Sequence, residues 1–153
     1  SSLDEFFIQK TIKTVEEHIE NPQFSVEELS SIIGMSRSNL YNKLMSITGS
    51  SPSEFIRIIR LKKSLKLLEK TQMTVAEVAY KVGFNTPKIF THYIKEEYKM
   101  TPTKYKKKKE ALVLEYQVLL DKKITDKRLV DTVLSAGPMD VVLNKQMPRK
   151  KFL

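Results

Sequence analysis

Two sets of side chains share a spacing that could serve one surface. Ser38, Asn42 and Met45 fall at i, i+4 and i+7, and Lys88, His92 and Lys95 repeat that spacing fifty residues later. On a helix, such a spacing puts each set on a single face. The chemistries differ. Asn can pair in bidentate fashion with adenine and Ser can meet several base edges, whereas Lys offers a point charge to a phosphate. Arg37, in the first turn of the earlier stretch, can reach a phosphate, and the positive end of a helix adds to that attraction. Tyr41 and Asn39 flank the first set. A polar face alone is what any solvated helix has, so the elements that carry these residues decide the matter.

For either face to point outward, the opposite face must be buried. At about 100° per residue, Leu40, Leu44 and Ile47 share a narrow arc opposite Ser38 and Asn42. Phe90 and Ile94 lie opposite Lys88 and His92, with Tyr98 at the edge. Each candidate helix follows a shorter one across a glycine. "SVEELSSIIGMS" (25–36) and "TVAEVAYKVGFN" (74–85) align without a gap at an offset of 49, pairing Val26 with Val75, Glu28 with Glu77 and Gly34 with Gly83. After one inserted residue the echo continues at an offset of 50, through Leu40/Phe90, Leu44/Ile94, Pro52/Pro102 and Phe55/Tyr105. A helix-turn-helix needs a turn glycine in a conformation costly for other residues, and Met35 and Phe84 stand ready to pin that turn. The repeat reads as a duplicated helix-turn-helix.

The remaining signals place seven helices, at about 3–20, 25–33, 36–48, 52–70, 74–82, 86–98 and from Pro102. Ile8, Ile12, Val15 and Ile19 form the stripe of the first, which "NPQF" (21–24) ends. Capping boxes at Ser25–Glu28, Ser51–Glu54 and Thr74–Glu77 start three others. Thr86-Pro87 starts the sixth, because proline at the first helical position gives up only an amide that would be unpaired anyway. It also removes a donor from the end nearest a phosphate. The helix over 52–70 would span roughly 28 Å, against about 34 Å between successive major-groove segments on one DNA face. Its stripe Ile58, Leu61, Leu65 and Leu68 reads as core, and Arg57, Arg60, Lys62, Lys63 and Lys66 read mostly as a solvated face with some reach to phosphate. The expected fold is all-α: two helix-turn-helix units (25–48 and 74–98) joined by the long linker helix 52–70 within a domain of residues 1–105, then a C-terminal extension over 106–153.

Composition narrows the function classes. The net charge of +9 suits a polyanionic partner, but residues 1–105 carry only +3 (15 Lys and Arg against 12 Asp and Glu) and residues 106–153 carry +6 (12 against 6). With no Cys, two distant His and four scattered Gly, the 153 residues offer no catalytic constellation, metal site or cofactor loop, so no enzyme and no cofactor is expected. No apolar run reaches the ~18 residues of a membrane span, and a cytoplasmic protein without membrane contact is expected. The rival reading is a helical protein-interaction module without specific DNA binding. Duplex binding that falls steeply with salt separates the two.

"FSVEELSSIIGMSRSNLYNKLMSITGSSPSEFIRIIRLKKSLKLLE" and "TVAEVAYKVGFNTPKIFTHYIKEEYKMTPTKY" resemble the AraC/XylS family of bacterial transcription regulators, over about residues 3–105. More narrowly, residues 21–62 are similar to the output domain that ends hybrid two-component sensor-regulators of carbohydrate uptake. The resemblance implies two helix-turn-helix units on a long helix, binding double-stranded promoter DNA, acting with RNA polymerase and activating transcription. It implies base contacts from Ser38, Tyr41 and Asn42 in the first unit, and from Pro87, Lys88 and His92 in the second. Arg37, Asn39, Thr86, Pro87 and Lys95 fall at the flanks, where phosphate contact is expected. Three departures stand out. Lys99 occupies the position where the family usually has glycine, Pro87 replaces a side-chain donor, and Glu96-Glu97 adds negative charge at the far end of the helix.

Residues 106–153 run past the usual end of such a domain. "KKKKEALVLEYQVLL" (106–120) is expected to extend the seventh helix, with Tyr105, Leu112, Tyr116 and Leu119 on one stripe. Thr125 would cap an eighth helix ending at Ala136-Gly137-Pro138, and "PRKKF" follows. The apolar surface of this extension should fold back on the domain or pair with a second copy. A homodimer would form through it or through a domain preceding residue 1. Lys106–Lys109 reads as solvated, with reach to the DNA backbone.

Overall fold

The computed structural model describes residues 1–70 and 72–121, and among these there are seven helices and no strand. They are α1 (Ser2–Glu17), α2 (Val26–Ile33), α3 (Arg37–Thr48), α4 (Pro52–Lys70), α5 (Val75–Lys81), α6 (Pro87–Tyr98) and α7 (Pro102–Asp121). Each lies within a residue or two of its expected start. The largest shift is at the end of α1, which stops at Glu17 and closes through turns that bond the His18 and Ile19 amides to the carbonyls of Val15 and Glu16. The expected eighth helix and the "PRKKF" segment lie outside the described residues. α7 runs through residue 105 without a break, so the expected domain boundary falls inside a helix.

Hydroxyl caps start the helices as expected. Ser25 Oγ accepts from the Glu28 amide, Ser51 Oγ from Glu54, and Thr74 Oγ1 from Glu77, at 3.1, 3.3 and 3.1 Å. Each bond satisfies an amide that the helix itself leaves unpaired, typically contributing about 1 kcal/mol.

Two hydrophobic cores share the linker. Phe55, Ile56 and Ile59 of α4 join Leu29, Leu40 and Leu44 in the first. Leu61, Leu65 and Leu68 of the same helix join Val78, Phe90 and Ile94 in the second. One end of α4 therefore belongs to each unit. Ile19, just past α1, packs against both cores.

Candidate nucleic-acid interface

The two turns close by the same pair of hydrogen bonds. In the first, the Met35 amide donates to Ser30 O at 3.0 Å and Gly34 donates to Ser31 O at 3.2 Å; in the second, Phe84 donates to Ala79 O and Gly83 to Tyr80 O, both at 3.0 Å. Both are Schellman motifs, which require a left-handed residue after the helix. Gly34 and Gly83 supply it, at φ of 81° and 87°. Met35 packs onto the first core and Phe84 is buried in the second, as their apolar character anticipates.

Each second helix is then held by its inner face. Ser36 Oγ accepts from the Asn39 amide at 3.1 Å, and Thr86 Oγ1 accepts from Ile89 at 3.2 Å, so both N-termini are capped. Leu40 and Leu44 on α3, and Phe90 and Ile94 on α6, are fully buried. Burial of a side chain of that size stabilises by about 1.5–3 kcal/mol, enough to fix the rotation of each helix. Tyr98, expected at the edge, is also buried. The rotation leaves Arg37, Ser38, Asn39, Tyr41 and Asn42 exposed on α3, and Lys88, His92 and Lys95 exposed on α6. Thr86 is exposed and Pro87 half-buried.

The second face is less cationic than its sequence suggests. His92 Nε2 lies 3.6 Å from the Glu96 carboxylate one turn on, and its ring meets Tyr93 edge-on at 5.2 Å. Lys99 adopts the left-handed conformation at φ of 59° despite its side chain. Its amide closes the helix on Lys95 O at 2.9 Å, and its Nζ reaches Glu96 O at 2.8 Å. The departure at Lys99 therefore keeps the glycine geometry and adds a cation to the negative end of the helix.

Ser51, Ser53 and Ile89 lie beside the expected set, and nothing in the sequence pattern marks them for that place. A surface groove brings Ser51 and Ser53, at the start of α4, beside Ser38, Tyr41 and Asn42. A second groove runs past Ser53, Arg57 and the exposed Ile89 near the start of α6. The capping-box reading had used "SPSE" (51–54) only as a helix start, which hid the exposure of Ser53.

The cationic stripe of α4 is corrected in one place. Arg60 is not on a solvated face; it is buried at 6% exposure. Nη1 donates to the carbonyls of Ile19 and, at 2.7 Å, Val82, and Nη2 donates to Asn21 O at 3.0 Å. Burial lowers its pKa from the ordinary guanidinium value, yet Arg stays charged, and the carbonyls of two helix ends meet that charge. Arg57 stacks over the Tyr93 ring at 4.5 Å, tying the linker to α6. The lysine cluster at the start of the extension is likewise partly engaged. Lys109 pairs with Glu69 at 3.1 Å and Lys106 donates to Met73 O at 3.1 Å, whereas Lys107 and Lys108 are exposed.

A family described as a helix-turn-helix domain matches residues 29–108, just over half the chain. The chain belongs to the AraC/XylS-type helix-turn-helix family. It is 39% identical over 105 residues to "Histidine kinase P4" of Formosa agariphila, covering 69% of this chain and 8% of that protein. It is 35% identical over 100 residues to the HTH-type transcriptional regulator MtrA of Neisseria gonorrhoeae, covering 65% of this chain and 32% of MtrA. The chain thus spans a third or less of each of these relatives. Among solved structures, the DNA-binding domain of the transcriptional factor AdpA in complex with a target DNA superposes with a TM-score of 0.63 at 28% identity, covering 68% of this chain and 93% of that one. The all-α double helix-turn-helix architecture is the family's. Among the described residues, no group of three or more His, Asp and Glu is disposed to hold a metal, and no helix is long and apolar enough to cross a membrane.

Proposed function

We propose that this chain is the DNA-reading part of a transcription regulator, in which α3 and α6 enter adjacent major grooves of a promoter. Ser38, Tyr41 and Asn42 read base edges from α3, and Lys88 and His92 contact the neighbouring groove from α6. Arg37, Asn39, Thr86, Pro87 and Lys95 form the phosphate-facing flanks. The observation that carries this reading is the pair of identical turns, each presenting an exposed helix face from opposite ends of one 19-residue linker. That linker is roughly 28 Å long, so modest bending of the DNA brings grooves about 34 Å apart within reach.

The two faces divide the work. α3, with its amide and hydroxyls, does most of the sequence reading, and α6 docks mainly by charge. The similarity to a protein named as a histidine kinase supports an origin in a hybrid two-component sensor-regulator. Activation through RNA polymerase, a cytoplasmic location, and a homodimer formed through the C-terminal extension or a domain ahead of residue 1 complete the reading. The exposed Val113, Leu114 and Val118 of α7 are the surface such a dimer would use.

Selection of bound sequences from random duplex DNA, with and without residues 110–153, tests it. The expected product is a motif of two patches about one helical turn apart, with log K falling steeply against log salt. A weak, salt-insensitive interaction with duplex would favour the protein-interaction module instead, for which the same apolar face of α7 would be the contact surface.

A further inference from the structure

The two units meet the linker through separate cores that share Ile19 at their edge, and a buried cation lies at the seam between them. α4 passes from one core to the other between Ile59 and Leu61, and Arg60 stands at that point. Its guanidinium bonds to Ile19 and Asn21, in the segment that leads from α1 into the first unit, and to Val82, the cap residue of α5 in the second. Each acceptor is a carbonyl at or just past a helix C-terminus, where the backbone has acceptors without internal partners. A planar fork with five donors can hold diverging carbonyls at once, which a lysine ammonium cannot do in a fixed plane.

The second turn is shaped around this cation. A Cβ on Gly83 would overlap Arg60 Nη1 and the Ile19 carbonyl, whereas a Cβ on Gly34 would meet nothing within 4 Å. The first turn thus needs glycine for its backbone alone, and the second also needs it to admit Arg60. The asymmetry between two otherwise matching turns indicates that the pocket at the second one serves the junction of the units.

We propose that Arg60 is the positioning residue that fixes the separation and phase of the two recognition helices, so that the domain accepts one spacing between its two DNA contacts. This rests on the two-groove reading given above. Without the guanidinium, α3 and α6 remain folded on their own cores, but nothing buried and directional joins Ile19 and Asn21 to Val82. Ile19 still packs against both cores, but that contact is non-directional, and the surface ties of Glu20 to Lys81 and Arg57 to Tyr93 are of the exposed and half-exposed kind that contributes little rigidity.

The test uses the full chain as Arg60→Met, which keeps an apolar stem, and Arg60→Lys, which keeps the charge. The probe is the tightest duplex recovered by the unsubstituted chain, together with versions carrying one base pair inserted or removed between its two patches. One base pair shifts the second patch by about a tenth of a turn, and the unsubstituted chain should lose at least about tenfold in affinity for it. In both variants that penalty should shrink to less than about threefold while binding to random duplex is unchanged. A measurement without DNA accompanies it. The chain has no native Cys, so Ser46→Cys and Glu96→Cys can be spin-labelled and the distance between α3 and α6 recorded. The distribution should be narrow with Arg60 and broad without it. An unchanged distribution overturns the proposal whatever the DNA result. A broadened distribution with an unchanged spacing penalty overturns the two-groove reading and leaves the positioning role standing. Loss of helical circular dichroism in both variants overturns the proposal by making Arg60 a residue of folding, not of positioning.

Discussion

Arg60 occupies the space that a side chain at Gly83 would need, 23 positions further along the chain. The relationship separates two glycines that the sequence presents as equivalents. Gly34 and Gly83 both adopt the left-handed conformation and both close a Schellman motif, but only Gly83 is packed against a charged group and a backbone carbonyl.

Substitution should therefore distinguish them. Gly34→Ala should destabilise by about 1–2 kcal/mol, the left-handed strain alone. Gly83→Ala adds overpacking of about 1–3 kcal/mol to the same strain, because the Ile19 carbonyl is backbone and cannot swing aside. Urea unfolding followed by circular dichroism checks the difference. Equal losses at the two positions would contradict the crowding at Gly83.

Asn42 should contribute specificity. Asn42→Ala is expected to weaken the tightest duplex by about 1–3 kcal/mol and to relax preference at one base pair. Lys88→Ala should weaken all duplexes alike and reduce the magnitude of the salt slope by about one. Competition binding against random duplex over a salt series measures both. A uniform loss for Asn42→Ala would remove it from the reading face.

Glu96 lies against His92 and faces the same solvent. Glu96→Gln removes a negative charge near the α6 face and should tighten binding to every duplex by up to about fivefold at low salt. The gain should fade as the salt is raised and the Debye length contracts. If affinity drops instead, the Glu96 contact is holding His92 in its binding orientation.

Lys99 is the single non-glycine residue with positive φ among the described residues. Lys99→Gly should relieve about 1 kcal/mol of left-handed strain and give back part of that through the lost Nζ bond to Glu96 O and a more flexible unfolded chain. A net gain of about 0.5 kcal/mol in thermal unfolding is expected. Lys99→Val, whose branched side chain fits that conformation poorly, should lose stability.

The double helix-turn-helix was legible because its signals are local. A hydroxyl and a glutamate three residues apart, a proline at a helix start and apolar residues every three or four positions act within one or two turns, and they recur at a near-constant offset. The same logic exposed the outward faces of α3 and α6. Once Leu40, Leu44, Phe90 and Ile94 are buried, helical geometry alone turns Ser38, Asn42, Lys88 and His92 outward. The behaviour of the linker cations was not legible. Arg57, Arg60 and Lys63 look alike in sequence, yet Arg57 lies on an aromatic ring, Arg60 is buried and Lys63 is exposed. What sets Arg60 apart is the arrival of partners 22 to 41 residues away, at the ends of other helices. A periodic pattern records which face of a helix is apolar. It carries no record of which carbonyls the fold will aim at a cation on the other face, and that was decided only when α1 and α5 closed against α4.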